Sequence, residues 1–166
     1  MFEMRLDPPT HPADEVDPIA VVAADYVTEV VNLCDVLGET DAQFRVSGFG
    51  LANWPVDVSY DLSAVMEQLP AVIRALIAGA RTELDFYSQG IERTLEFQPS
   101  GEVCRIRCES RTSWIPDPAE IEMKTNDLIA MLQELARAFG ESVAVAAPSL
   151  TNMSPFNAWR TGEYGW

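Results

Sequence analysis

The stretch Leu84 to Cys108, LDFYSQGIERTLEFQPSGEVCRIRC, decides how the rest of the chain is read. Apolar and polar residues alternate through it in three runs, and Gln89-Gly90 and Gln98-Pro99-Ser100-Gly101 interrupt them, a pattern of three antiparallel strands joined by tight turns. A first turn at Gln89-Gly90 sets Leu84 opposite Leu95 and Phe86 opposite Arg93. A four-residue second loop sets Leu95 opposite Cys104 and Ile91 opposite Cys108. One face then collects Leu84, Phe86, Ile91, Leu95, Phe97, Cys104, Ile106 and Cys108 and is expected to be core. The other shows Glu83, Asp85, Glu92, Thr94, Glu96, Arg105 and Arg107, with Glu92 facing Arg107 and Glu96 diagonal to Arg105. Arg93 alone breaks the inner pattern, and is expected at the sheet's end with its charge reaching outward along a buried stem.

Ahead of the meander, residues 62–77 carry Leu62, Val65, Met66, Leu69, Val72, Ile73, Leu76 and Ile77 at three-and-four spacing, which predicts an amphipathic helix capped by Asp61 or Ser63 and ended by Gly79. Pro70 lies inside it and removes one backbone donor, so a kink or break is expected there. Val56, Val58 and Tyr60 alternate with Asp57 and Ser59 and read as a short strand. Residues 19–37 read as extended because of their valines and Tyr26, although Val22, Tyr26, Val30, Leu33 and Leu37 also fit helical spacing. Residues 1–17 are rich in proline and acid and read as a flexible arm. After the meander, Asp117 and Glu120 have capping-box spacing, so a helix is expected to begin there or at Thr125. It runs through Leu128, Met131, Leu132, Leu135, Ala136 and Phe139 and ends at Gly140, with a brief strand at Val143–Ala147.

These elements predict an α+β domain: one mainly antiparallel sheet of five or six strands with two helices packed on one face. It spans residues 18–148, between the arm (1–17) and an aromatic C-terminal tail (149–166). The 166 residues, 48% of them hydrophobic, suit one domain with a sizeable core. A net charge of −15 disfavours phosphate backbones and anionic lipid surfaces, while it would speed encounter with a basic partner. No run of apolar residues is long enough to span a bilayer and no signal-peptide core is present, so a cytoplasmic address is expected.

The residues offer little chemistry. Cys104 and Cys108, four apart on one strand, would stand about 13 Å from each other, too far to share a zinc ion. With Cys34 they read as small buried hydrophobes. The single histidine, His11, sits in the arm, away from any serine or cysteine it would have to activate. No metal site, cofactor or nucleotide loop is expected, nor is an enzyme. The cheapest catalytic alternative is a hydrolase built on paired carboxylates among Asp57, Asp61, Asp85, Glu92 and Glu96, which would need one of them in an apolar pocket. Trp159, Tyr164 and Trp166 either dock the tail on its own domain or offer anchors to a partner.

The segments GFGLANWPVDVSYDL (48–62), LDFYSQGIERTLEF (84–97) and PSLTNMSPFNAW (148–159) resemble small uncharacterised actinobacterial proteins. The meander is similar to strand pairs in immunity proteins of bacterial polymorphic toxin systems. That resemblance implies a non-enzymatic α+β protein that blocks a toxin domain by occlusion, with an acidic surface opposing a basic one. The expected steering charges are Asp85, Glu92 and Glu96, and the expected anchors are Tyr87, Trp159 and Trp166. The alternative is a structural or assembly subunit, phage-related or homo-oligomeric, whose tail exchanges between protomers.

Overall fold

A computed structural model describes residues 1–166 and shows an α+β chain with two sheets rather than one. Strands β1 (Glu3–Asp7) and β2 (Gln43–Ser47) form an antiparallel pair. Strands β3 (Thr82–Phe86), β4 (Arg93–Ser100), β5 (Val103–Ser110) and β6 (Glu120–Lys124) form a four-stranded antiparallel meander in sequence order. Helices α1 (Pro18–Val21), α2 (Tyr26–Gly38), α3 (Ser63–Ile77), α4 (Thr125–Ala146) and α5 (Phe156–Arg160) surround them, five in place of the expected two. A π-helical turn over Val58–Leu62 leads into α3 and replaces the strand expected there. No helix is long and apolar enough to cross a membrane.

The meander has the predicted faces. Leu84 pairs with Leu95 and Phe86 with Arg93, as the first turn requires. The second hairpin is shifted by four residues: Ser100 pairs with Val103, so Pro99 lies within β4 and Leu95 stands opposite Cys108 rather than Cys104. Side chains alternate with a period of two, so an even shift exchanges partners without turning any residue over. All eight expected core residues are buried accordingly. The β3–β4 connection also holds Glu92 in the left-handed region at φ +43, outside either strand.

The expected arm begins with a strand and is bonded to the domain beyond it. Phe2, Met4 and Leu6 alternate with Glu3, Arg5 and Asp7 and are buried, which makes β1 half of a sheet packed on α4. Beyond it, Thr10 donates from its amide and its hydroxyl to Asp41 at 2.8 and 2.6 Å, and the Ala13 amide donates to the Ala146 carbonyl at 3.0 Å. Residues 26–38 are helical, not extended. Asp25 caps α2 by accepting from the Thr28 amide at 2.9 Å, and Val30, Leu33, Cys34 and Leu37 make a fully buried stripe. A cap and a buried face together outweigh the modest helix penalty of β-branched residues.

Helix α3 continues through Pro70. Proline cannot donate to the carbonyl four residues back, and that carbonyl, Met66, accepts instead from the Tyr26 hydroxyl at 2.6 Å. The lost backbone bond becomes a tie between α2 and α3.

Strand β6 occupies the place where a helix start was expected at Asp117, and α4 begins at Thr125. It then passes through Gly140 to Ala146, so no strand forms at Val143–Ala147. Gly140 is a contact residue rather than a helix end: a Cβ there would overlap the Phe156 carbonyl oxygen of α5. The tail docks on its own domain, with Leu150, Phe156 and Trp159 buried. Gly140→Ala is therefore expected to lower stability by about 1–2 kcal/mol, despite alanine's higher helix propensity, because backbone has to move. Urea denaturation checks this; a more stable variant would mean that α5 does not sit against α4 as described.

Candidate functional site

The six residues expected to form a binding site do not gather on one surface. Asp85 lies on the outer face of β3 and pairs with Arg111 at 2.6 Å, an arginine that also reaches the Thr94 hydroxyl. Glu96 stands opposite Arg107 and diagonal to Arg105, as expected for the latter, but its ion pair is with Arg81 at 2.9 Å. Arg105 is taken by Glu120 and Glu122, and Arg107 by Glu109, so Glu92 does not meet Arg107. The sheet's outer face thus mixes five basic side chains (Arg81, Arg105, Arg107, Arg111, Lys124) with its carboxylates and carries little field of its own. Trp159 is 2% exposed and belongs to the core, while Trp166 stacks on Tyr164 with ring centroids 4.9 Å apart. Tyr87 is exposed, and its hydroxyl donates to both carboxylate oxygens of Glu67 at 2.9 and 3.0 Å. That bond turns it away from the sheet and toward α3.

The uncompensated charge lies elsewhere. Residues 6–73 hold twelve of the 26 carboxylates and one arginine, Arg45, which pairs with Asp7 at 3.2 Å. The remainder of the chain holds fourteen carboxylates and ten bases, so most of the −15 belongs to the first segment. Several elements of this segment contact one another. Helix α2 packs against the π-helical turn and α3, and a Cβ on Gly38 would overlap the Ser59 hydroxyl. Burial, and then the negative charges of Asp35 on α2, Glu67 on α3 and Asp57 at the turn, push the Cys34 thiol well above its ordinary value. Large apolar side chains stand exposed on the same segment: Ile19 at 87%, Val22, Val27, and Tyr60 at 69%. An acidic surface studded with isolated apolar side chains has the makings of a protein interface: charge for encounter, anchors for affinity.

Asp57 and Asp61, the nearest pair to a catalytic dyad, are occupied structurally. Asp57 accepts from the Tyr60 amide at 2.7 Å, and its own amide donates to Asp61 Oδ2 at 2.8 Å, a reciprocal cap on the π-helical turn. Asp61 is 3% exposed, and burial holds its carboxyl above the usual range. Its Oδ1 lacks a partner, as do Nε and Nη1 of the equally buried Arg93. The Arg93 guanidinium sits in a corner made by two indoles, 4.3 Å from Trp54 and 3.8 Å from Trp114, whose centroids are 6.0 Å apart. Its charge does not reach outward as expected; it is held by ring faces and the field of Asp61. Arg93→Met, which keeps the apolar stem and removes a poorly paired charge, is expected to change stability by less than about 1 kcal/mol, whereas Arg93→Ala should cost about 2–3 kcal/mol. Paired denaturation curves test this, and a severe loss in the methionine variant would show that the charge itself holds the corner together.

No group of three or more histidine, cysteine, aspartate or glutamate side chains is placed to hold a metal ion. No family model, curated protein or solved structure matches the chain.

Proposed function

We propose that this chain is a non-enzymatic binding protein whose acidic face, built from the arm, α1, α2, the π-helical turn and the start of α3, docks a basic protein partner. The observation that carries the reading is the segregation of charge: twelve carboxylates against a single, already paired arginine in residues 6–73. Asp7, Asp17, Asp25, Asp41, Asp57 and Asp61 serve the fold as ion-pair or capping groups, whereas Asp14, Glu15, Glu29, Asp35 and Glu39 make no side-chain hydrogen bond or ion pair and carry the unbalanced charge. In its most concrete form the protein is a cytoplasmic immunity protein that neutralises a toxin by covering it, the role implied by the likeness of the meander to such proteins. Tyr87 keeps its expected part as an anchor through Glu67, while Asp85 and Glu96 give way to Asp35, Glu39 and Glu67 as steering charges. Assembly by tail exchange is less favoured, because it would require withdrawing Phe156 and Trp159 from the core.

The test is co-expression with the protein encoded by the neighbouring gene. Recovery of a one-to-one complex together with relief of that protein's toxicity is expected. A neighbour that is harmless, or that is not retained, overturns the immunity role.

A further inference from the structure

A groove of about 330 Å³ opens between α2, α3 and the C-terminal tail, lined by Tyr26, Glu67, Pro70, Arg74, Trp159 and Trp166 among others. Its walls are mostly aromatic or proline rings: the half-buried Tyr26 and Trp166 carry the accessible ring surface, and the buried Trp159 backs Trp166 at 5.4 Å. Glu67 is also part of the acidic face, so the groove opens onto the surface that attracts positive charge. Arg74 stands seven residues further along α3, about 10 Å away by helical rise, at the opposite end. The buried Trp166 indole nitrogen has no acceptor within the fold.

We infer that this groove receives an arginine side chain of the basic partner, an assignment that rests on the docking reading above. Aromatic faces attract a guanidinium through their quadrupole, and guanidinium stacks on rings more readily than ammonium because it is planar and weakly hydrated. Glu67 supplies a planar acceptor for its N–H donors at one end. The Tyr87 hydroxyl sits against both oxygens of that carboxylate and holds it in place, leaving the outer lone pair of each oxygen for the ligand. Arg74 sets the orientation: the incoming guanidinium points to Glu67, and the carbonyl groups of its own backbone lie toward Arg74.

The probe is Nα-acetylarginine amide, titrated at constant ionic strength into the full chain while the indole N–H resonances are followed by NMR, with the neutral citrulline analogue as control. Saturable shifts of Trp159 and Trp166 at millimolar arginine probe are expected, with none from citrulline. Glu67→Gln should weaken the response at least about fivefold without altering the rest of the spectrum. Equal responses to the two probes, a response that never saturates, or indifference to Glu67→Gln would overturn the assignment. If the probe fails while a basic partner still binds the acidic face, the groove alone loses its role. If the probe binds and no partner does, the docking reading falls and the groove stands as a guanidinium site.

Discussion

Trp159→Ala is expected to cost about 3–5 kcal/mol, the range for removing a fully buried tryptophan, and to lower the midpoint of thermal unfolding by roughly 10 °C in a domain of this size. Trp159 sits at the centre of an aromatic cluster: Phe156 and Tyr26 meet it edge-on at 5.3 and 6.2 Å, and Trp166 lies tilted against it at 5.4 Å. Such edge-to-face pairs stabilise beyond the area they bury. Tyr26 belongs to α2 and Phe139, which touches Phe156 at 5.4 Å, to α4, so the tail clamps two helices. The exposed neighbour Arg160 serves as control, since Arg160→Ala should leave the midpoint within a degree or two. Equal midpoints for the two variants in calorimetry would mean that the tail is dispensable and free to exchange or to bind elsewhere.

Reversing two charges on the acidic face is the second large effect. Asp35→Lys with Glu39→Lys should slow association with a basic partner about tenfold or more at low salt, with the difference shrinking as salt rises and the dissociation rate little changed. Stability should hold or improve slightly, because both positions lie near the C-terminal end of α2, where the helix dipole favours cations. Glu109→Lys with Glu122→Lys makes the same change in net charge on the sheet's outer face, where Glu109 and Glu122 serve Arg107 and Arg105. Stopped-flow association rates separate the two cases. If both double variants slow association equally, total charge is what matters and the acidic face has no special role.

Much of this architecture is legible in the residues, and the places where it is not have physical reasons. The core face of the meander follows from alternation alone, and Gly90 marks the first turn well enough to set its register. The second turn misleads because Pro99 looks like a loop residue; proline is tolerated in a strand where no ladder donor is needed, and the actual turn is Gly101-Glu102. Strand β1 is visible in Phe2, Met4 and Leu6, but the prolines that follow dominate the local composition. Strand β6 hides behind Asp117 and Glu120, whose spacing imitates a helix cap. Residues 26–38 carry a strand's composition and a helix's spacing, and the spacing wins because the buried stripe and the Asp25 cap act together. Gly140 reads as a helix end, although its small size serves α5, a neighbour sixteen residues further on.

For the site, the segregation of acid into residues 6–73 is written plainly in the sequence. The pairing of Asp85 with Arg111 and of Glu96 with Arg81 is not, since both arginines come from segments outside the strands, just before β3 and just after β5. Nor does the order of residues reveal that Trp54 and Trp114 corner Arg93, because loops sixty residues apart supply them.

The claim that residues 6–73 form the docking face is tested most directly by hydrogen–deuterium exchange of the full chain, alone and bound to the basic protein encoded beside it. Added protection is expected in α1, α2, the Val58–Leu62 turn and the start of α3, with exchange along β5 and β6 unchanged. Protection confined to β5 and β6, or to the outer face of the meander, would contradict it.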